Sequence, residues 1–424
     1  MKKAYYPQLD ETLYTTVLPN GLTVAVVPRK GFTKKLAYFV TDYGSIHTDF
    51  VLEGKLHHTP AGVAHFLEHK MFDLPGDRDV SAEFAELGAI TNAFTSYDMT
   101  AYYFSCTENF DDCLRLLVEF VSTPYFTQES VEKEQGIIDQ EIGMCLDTPD
   151  NVIFDKLMEG LYHRHPIRVP ILGTSETIRE ITPQILYDCH RAFYTPGNML
   201  LCVIGDVEPE RVAAIAREML GDEKKEVGLK VRGWEEPMAR LEPETQANME
   251  VAMPMFYLAF KCEPLDTGDA AIRMEMVADL AAEALFGESS QLYLKLYEEG
   301  LIDSSFGGGF ETIDGSAMLL CSGDSENPQA VREAILAQAK KLGAEGIPAE
   351  AFRRMKRSAL GRRIRSLDGF DATCFRVCAY HFSKFDYFRF PEIYRSIEEP
   401  EIRGFLNRIV QEERSCLSII YPIS

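Results

Sequence analysis

The chain has 424 residues, 46% hydrophobic and 26% charged, and carries a formal net charge of −23. That length exceeds what one hydrophobic core ordinarily serves, so two domains are expected, within the composition of an ordinary globular protein. The acidic balance excludes general nucleic-acid binding, because phosphate would be repelled, and no stretch approaches the run of about eighteen apolar residues that a membrane span requires.

Apolar runs at 22–27 and 36–41 predict strands. Thr59-Pro60-Ala61-Gly62-Val63-Ala64 then reads as a loop leading into a helix that can start and pack closely. That helix carries His65-Phe66-Leu67-Glu68-His69. Two histidines four apart project from one helical face, so their imidazoles can share one metal ion. Glu68 precedes the second histidine and brings a carboxylate to the same place. Phe66, Leu67, Met71 and Phe72 flank the motif and bury it, and buried imidazoles need a polar partner. Two neutral nitrogen ligands beside a carboxylate base are what zinc uses to activate water near neutral pH. The order H-x-x-E-H is the inverzincin signature.

Strands are expected at 89–94 and 100–105, then helices over 109–122 and 128–145. In the second of these helices Glu134 and Glu141 stand seven apart, two turns, and share one side. A catalytic zinc site needs a third protein ligand and an open fourth position. One of these glutamates can bind the metal while the other orients a ligand histidine. A helix at 182–193 and a strand at 199–204 close the first half.

The charged stretch 221–247, which holds the only tryptophan at Trp234, reads as a linker. The second half is expected to run strand 249–262, helix 269–286, strand 317–322, helices 328–343 and 349–366, helix 400–411 and strand 416–421. Both halves end on a helix and an apolar strand, which points to duplication. No histidine lies between His190 and His381, so the second half holds no copy of the motif. The expected organisation is a zinc-binding catalytic domain over 1–220, the linker, and a homologous non-catalytic domain over 248–424. Strand runs mixed with separate helical runs predict an α+β fold, antiparallel-rich sheets packed with helices.

Two side features are weighed. Arg353, Arg354, Lys356, Arg357, Arg362, Arg363 and Arg365 form a basic island that reads first as a charged helix face paired with the acidic remainder, and second as a docking surface. Cys374 and Cys378, four apart, sit among Phe375, Val377 and Ala379 and read as core rather than a metal half-site. The ten cysteines lack a dense framework, which suggests reduced thiols. The basic start at residues 1–7 has no apolar segment, so no secretory signal is expected. Together these predict a cytoplasmic location.

The sequence resembles the pitrilysin/insulinase family of zinc peptidases, which includes the mitochondrial processing peptidase. The resemblance spans nearly the whole chain. It rests on Leu18-Pro19-Asn20-Gly21-Leu22, Tyr43-Gly44-Ser45, Gly62 to His69, Gly88, Asn92-Ala93-Phe94-Thr95, Thr100-Ala101-Tyr102, His165-Pro166, Gly173, Phe193 to Met199 and Gly205-Asp206-Val207. It implies one zinc per chain, held by His65, His69 and Glu141, with Glu68 as general base and Glu134 behind a ligand histidine. It implies two homologous domains forming half of a clamshell chamber for short or unfolded peptides. Asn92, Ala93, Phe94 and Thr95 would bind substrate as an edge strand. Family assemblies also carry an Arg–Tyr pair in the half without zinc, and here Tyr297 and Asp303 stand at those places. The resemblance therefore implies a zinc-dependent endopeptidase working as a homo- or heterodimer with a related subunit that supplies the pair. The alternative is a non-catalytic, peptide-binding or scaffold subunit, against which the intact motif argues.

Overall fold

The computed structural model describes residues 1–76 and 78–423. The chain opens with strands β1 (Lys2–Tyr6), β2 (Glu11–Val17), β3 (Thr23–Pro28) and β4 (Lys35–Thr41). A hairpin of β5 (Asp49–Leu52) and β6 (Lys55–His58) leads to helix α1 (Val63–Lys70), the short pair β7 (Asp73–Leu74) and β8 (Arg78–Asp79), and α2 (Val80–Glu86). Strands β9 (Ile90–Thr95) and β10 (Thr100–Cys106) precede α3 (Phe110–Ser122), α4 (Gln128–Leu146), α5 (Pro149–Leu161), α6 (Ser175–Ile178) and α7 (Pro183–Phe193). Strand β11 (Met199–Gly205) and α8 (Pro209–Leu220) end the first half.

The second half runs β12 (Leu229–Lys230), β13 (Glu244–Met249), β14 (Met255–Cys262), α9 (Asp269–Phe286), α10 (Gln291–Glu298), β15 (Gly307–Ile313) and β16 (Ser316–Asp324). It continues through α11 (Pro328–Glu345), α12 (Ala349–Arg365), α13 (Phe370–Phe382), α14 (Phe390–Ser396), α15 (Glu399–Ile409) and β17 (Ser415–Pro422).

Two α+β layers result, and their sheets repeat one plan. The first sheet is ordered β1-β2-β3-β11-β4-β10-β9, the second β13-β17-β14-β16-β15. In each, the last strand of the half inserts between two earlier strands, parallel to one neighbour and antiparallel to the other. A strand buried on both faces should be apolar throughout. Met199–Gly205 is, with every residue buried. The duplication read from the chain is thus visible in topology. One boundary differs: the run 249–262, expected as one strand, breaks between Met249 and Met255, where Val251 N donates to Met249 O in a tight turn. Helix α5, in a stretch where the sequence predicts no element, is a further difference.

The halves exchange helices. α5, from the first half, packs on β13, β14 and β17, while α13, from the second, packs on β4 and β11. Cys202 Sγ on β11 lies 3.7 Å from Cys374 Sγ on α13, both buried, so the paired cysteines are core, as the sequence indicates. The stretch 221–247 is tied down along its length. Lys230 pairs with Asp42 at 2.7 Å, and Arg232 pairs with Asp314. Glu236 pairs with buried Lys261 at 2.7 Å and accepts N–H bonds from His163, Arg164 and His165. No helix among the described residues is long and apolar enough to cross a membrane.

Candidate metal centre

Helix α1 starts where two backbones touch. Gly62 has φ +93°, and a Cβ there would meet Leu172 O at 2.4 Å; a Cβ on Gly173 would meet Ala61 O at 2.5 Å. Only glycine serves at both places, and their contact fixes the entry of the motif helix. Helix α4 starts with a capping box, the Thr127 side chain on Ser130 N and the Ser130 side chain on Thr127 N. Val131, Ile138 and Ile142 form its buried face. These anchors bring the glutamates of α4 against the histidines of α1.

His65, His69 and Glu141 each offer a ligand atom within 4.8 Å of the others. Glu141 Oε1 is 3.7 Å from His65 Nε2, and its Oε2 is 3.7 Å from His69 Nε2. Ligands about 2.0–2.2 Å from a tetrahedral zinc stand about 3.4 Å apart, so small side-chain shifts would close the set. Neither nitrogen of His65 has a hydrogen bond: Nδ1 is buried without a partner among the described residues, and Nε2 meets Glu141 beyond hydrogen-bond reach. Burial, with His69 nearby, pushes the His65 imidazole down to about 3. It is neutral and keeps a lone pair, as a metal ligand must. The donor set fits a zinc ion.

His69 is held from behind. Its Nδ1 lies 3.0 Å from Glu134 Oε1. Burial lowers its basicity most, but the Glu134 hydrogen bond and the carboxylates of Glu68, Glu134 and Glu141 together outweigh burial and raise it above the ordinary histidine value. Glu134 is itself positioned by Lys70 Nζ at 3.9 Å. That lysine is 1% exposed and also bonds Ser130 O at 3.4 Å and the Asp73 carboxylate. Lys70 escapes the sequence reading, though its place directly after His69 was a signal that it shares the site.

Glu68 is buried, and its Oε2 accepts from Thr95 Oγ1 at 2.8 Å. Burial raises its carboxyl above the usual glutamate value, with the Thr95 bond opposing. Thr95 ends β9, the outermost strand of the first sheet. The chain thus joins Glu68 to an edge strand. Along that edge the Ala93 N–H donates to its neighbour's side chain, Asn92 Oδ1, at 2.9 Å. The Phe94 ring centroid lies 5.9 Å from that of Phe375 on α13.

The second half is built differently at the matching helices. By order, α9 corresponds to α1 and α12 to α4. On α9, Glu275 and Asp279 stand four apart, as the histidines do on α1. Facing them from α12 is buried Arg363, with Nη2 3.2 Å from Glu275 and Nη1 3.5 Å from Asp279. A guanidinium thus lies between the two carboxylates. The basic island therefore resolves into separate roles. Arg363 is core, Arg362 pairs with Glu283 at 2.6 Å, and Lys356 Nζ caps Arg395 O and Ile397 O. Arg353, Arg354, Arg357 and Arg365 are exposed. Tyr297 is 53% exposed and stacks on Tyr293, while Asp303 accepts Ser305 N in a turn.

Residues 50–175 match the family described as insulinase (peptidase family M16), and residues 180–359 match the peptidase M16 inactive domain. A Bacillus subtilis protein described as an uncharacterized zinc protease is 37% identical over all of both chains. The beta subunit of the Caenorhabditis elegans mitochondrial-processing peptidase is 28% identical, over 67% of this chain and 59% of that one. The crystal structure of an M16-like peptidase from Alicyclobacillus acidocaldarius superposes with a TM-score of 0.93 at 31% identity, covering 97% of this chain and 99% of that one. The fold is the two-domain scaffold of this peptidase family. The chain belongs to the insulinase, or M16, peptidase family.

Proposed function

We propose that this chain is the zinc-bearing catalytic subunit of an endopeptidase acting on short or unfolded peptides. The observation that carries the reading is the convergence of His65, His69 and Glu141 beside a buried glutamate hydrogen-bonded to an open strand edge. His65 and His69, through Nε2, and Glu141 would hold one zinc ion. When bound, zinc supplies polarisation of a water molecule near neutral pH. Glu68 takes the proton of the attacking water and delivers it to the leaving amine nitrogen. Thr95 fixes one oxygen of that carboxylate and leaves the other for the proton. Glu134 holds the His69 ring by its Nδ1–H, as carboxylates behind metal-bound histidines do. Replacing Glu134 with Gln is expected to lower zinc affinity about 10–100-fold with the fold intact, read by competition with a chelating dye; unchanged affinity would remove the role.

An extended peptide adds to β9 along Asn92, Ala93, Phe94 and Thr95, main chain to main chain. The edge position of β9 and its link to Glu68 support this. The domains are 1–220, bearing the catalysis, and 248–424, joined by 221–247. They form half of a chamber completed by a related subunit, and the family membership together with Tyr297 and Asp303 at the Arg–Tyr positions supports such a partner. The ten unpaired cysteines support a cytoplasmic location.

The test is zinc content together with cleavage of a quenched, unstructured peptide library, with the chain alone and with a related subunit carrying the Arg–Tyr pair. About one zinc per chain and cleavage in the pair are expected. Full activity of the isolated chain would end the two-subunit reading, and absence of zinc would end the enzyme reading.

A further inference from the structure

The two oxygens of the Glu134 carboxylate serve different partners. Oε1 lies 3.0 Å from His69 Nδ1, while Oε2 lies 3.9 Å from Lys70 Nζ. Lys70 is the last residue of α1, and its side chain is buried. A buried ammonium is costly unless it is paired and hydrogen-bonded. Lys70 Nζ meets that demand from three sides. It contacts the Asp73 carboxylate of β7, donates to Ser130 O in the first turn of α4 at 3.4 Å, and faces Glu134 one turn further along that helix. The lysine therefore crosses from the helix that carries both histidines to the helix that carries Glu134 and Glu141. It ends against the Glu134 oxygen that His69 does not use.

We propose that Lys70 is a positioning residue for the metal centre: it fixes the rotation of the Glu134 carboxylate and, through it, the His69 ring. The inference rests on the zinc-peptidase reading and extends it by one residue. With Oε2 turned to the ammonium, the carboxylate cannot swing away without leaving a buried charge short of a partner. Oε1 then stays on His69 Nδ1, and the ring keeps its Nε2 on the Glu141 side, 3.7 Å from Glu141 Oε2. Partners that orient a ligand imidazole in this way set metal affinity. Two effects of a lysine oppose each other here. Its charge repels a cation and weakens metal binding, while its hold on Glu134 strengthens it. The contact with Asp73 decides between them. An ammonium joined to a carboxylate presents little net charge to a cation several ångströms away, so the positional effect remains.

The test is a double-mutant cycle on zinc affinity, measured on the full chain by competition with a chelating dye. Lys70→Met removes the ammonium and keeps an unbranched side chain of similar length. Alone it is expected to weaken zinc binding about tenfold. In a Glu134→Gln background the same change should shift affinity by less than about twofold, because the route through Glu134 is already cut. Equal losses in both backgrounds would show that Lys70 merely supports the fold, and would overturn the proposal. Tighter zinc binding in the single variant would show that its charge dominates, and would overturn it too, as would an unchanged affinity. Lys70→Gln, which keeps a donor for Asp73 and Ser130 O, enters the same cycle if the Met variant does not fold. Failure of the underlying reading has a separate signature, read on the unmutated chain: a parent that binds no zinc ends the zinc reading and this proposal with it.

Discussion

Glu68→Gln is expected to abolish peptide cleavage while zinc stays bound. Glutamine keeps the shape of the side chain, and its carbonyl still accepts the Thr95 hydroxyl that now holds Glu68 Oε2 at 2.8 Å. What it loses is the capacity to take a proton. General acid–base catalysis contributes roughly 10²–10⁴-fold. In the proposed mechanism one carboxylate both removes the proton from water and returns it to the amine, so a loss of about 10³-fold or more in kcat is expected. The proposed ligand set of His65, His69 and Glu141 is untouched, so zinc content by mass spectrometry should match the parent. Stability should hold as well. Burial already disfavours the charged form of Glu68, and a neutral amide relieves that cost. A variant that still cleaves at more than a tenth of the parent rate would show that another group is the base. A variant that loses both zinc and activity would show that Glu68 is structural.

The site was legible in the sequence because its decisive geometry is local. Histidines four apart and glutamates seven apart fix directions on a helix whatever surrounds it, and α1 and α4 both lie where periodicity places them. The edge strand was legible as a strand, since β-branched and small residues bounded by turn residues suffice. The exchange of α5 and α13 was not. An amphipathic helix announces that it buries one face, not which sheet it buries it against, and that choice rests on contacts between residues far apart in the chain, such as Gly160 with Thr245 and Cys416. Lys70 was hidden for a related reason. A lysine in a motif helix reads as solvated, and only the fold shows it 1% exposed, facing Glu134.

Arg363 is the sharpest case, because charge patterning read it as part of a charged helix face paired with the acidic remainder, and the pairing with Glu275 and Asp279 holds while exposure on a face does not. It lies in a cage instead: its guanidinium is within 5.4–5.8 Å of the ring centroids of Tyr380, Tyr387, Phe390 and Tyr394, and bonds the Tyr380 and Tyr394 hydroxyls. Both halves thus solve the same problem, two polar side chains four apart on a buried helix. In the first half the imidazoles converge with Glu141 on a place that could hold a metal ion. In the second half carboxylates share a guanidinium. The consequences for stability differ. A buried ion pair is costly to break from one side, since the abandoned charges remain desolvated. Arg363→Ala is expected to lower unfolding free energy by about 3–5 kcal/mol, with the lost cation–aromatic contacts adding to it, as read from urea midpoints. Glu141→Ala in metal-free protein should cost under about 1 kcal/mol, because Glu141 is 38% exposed and bonds neither histidine within hydrogen-bond distance. If Arg363→Ala proves as mild as Glu141→Ala, the guanidinium is not the keystone of the second half. If it is severe, the buried guanidinium, held by two carboxylates and four aromatic rings, is what ties α9, α12, α13 and α14 together.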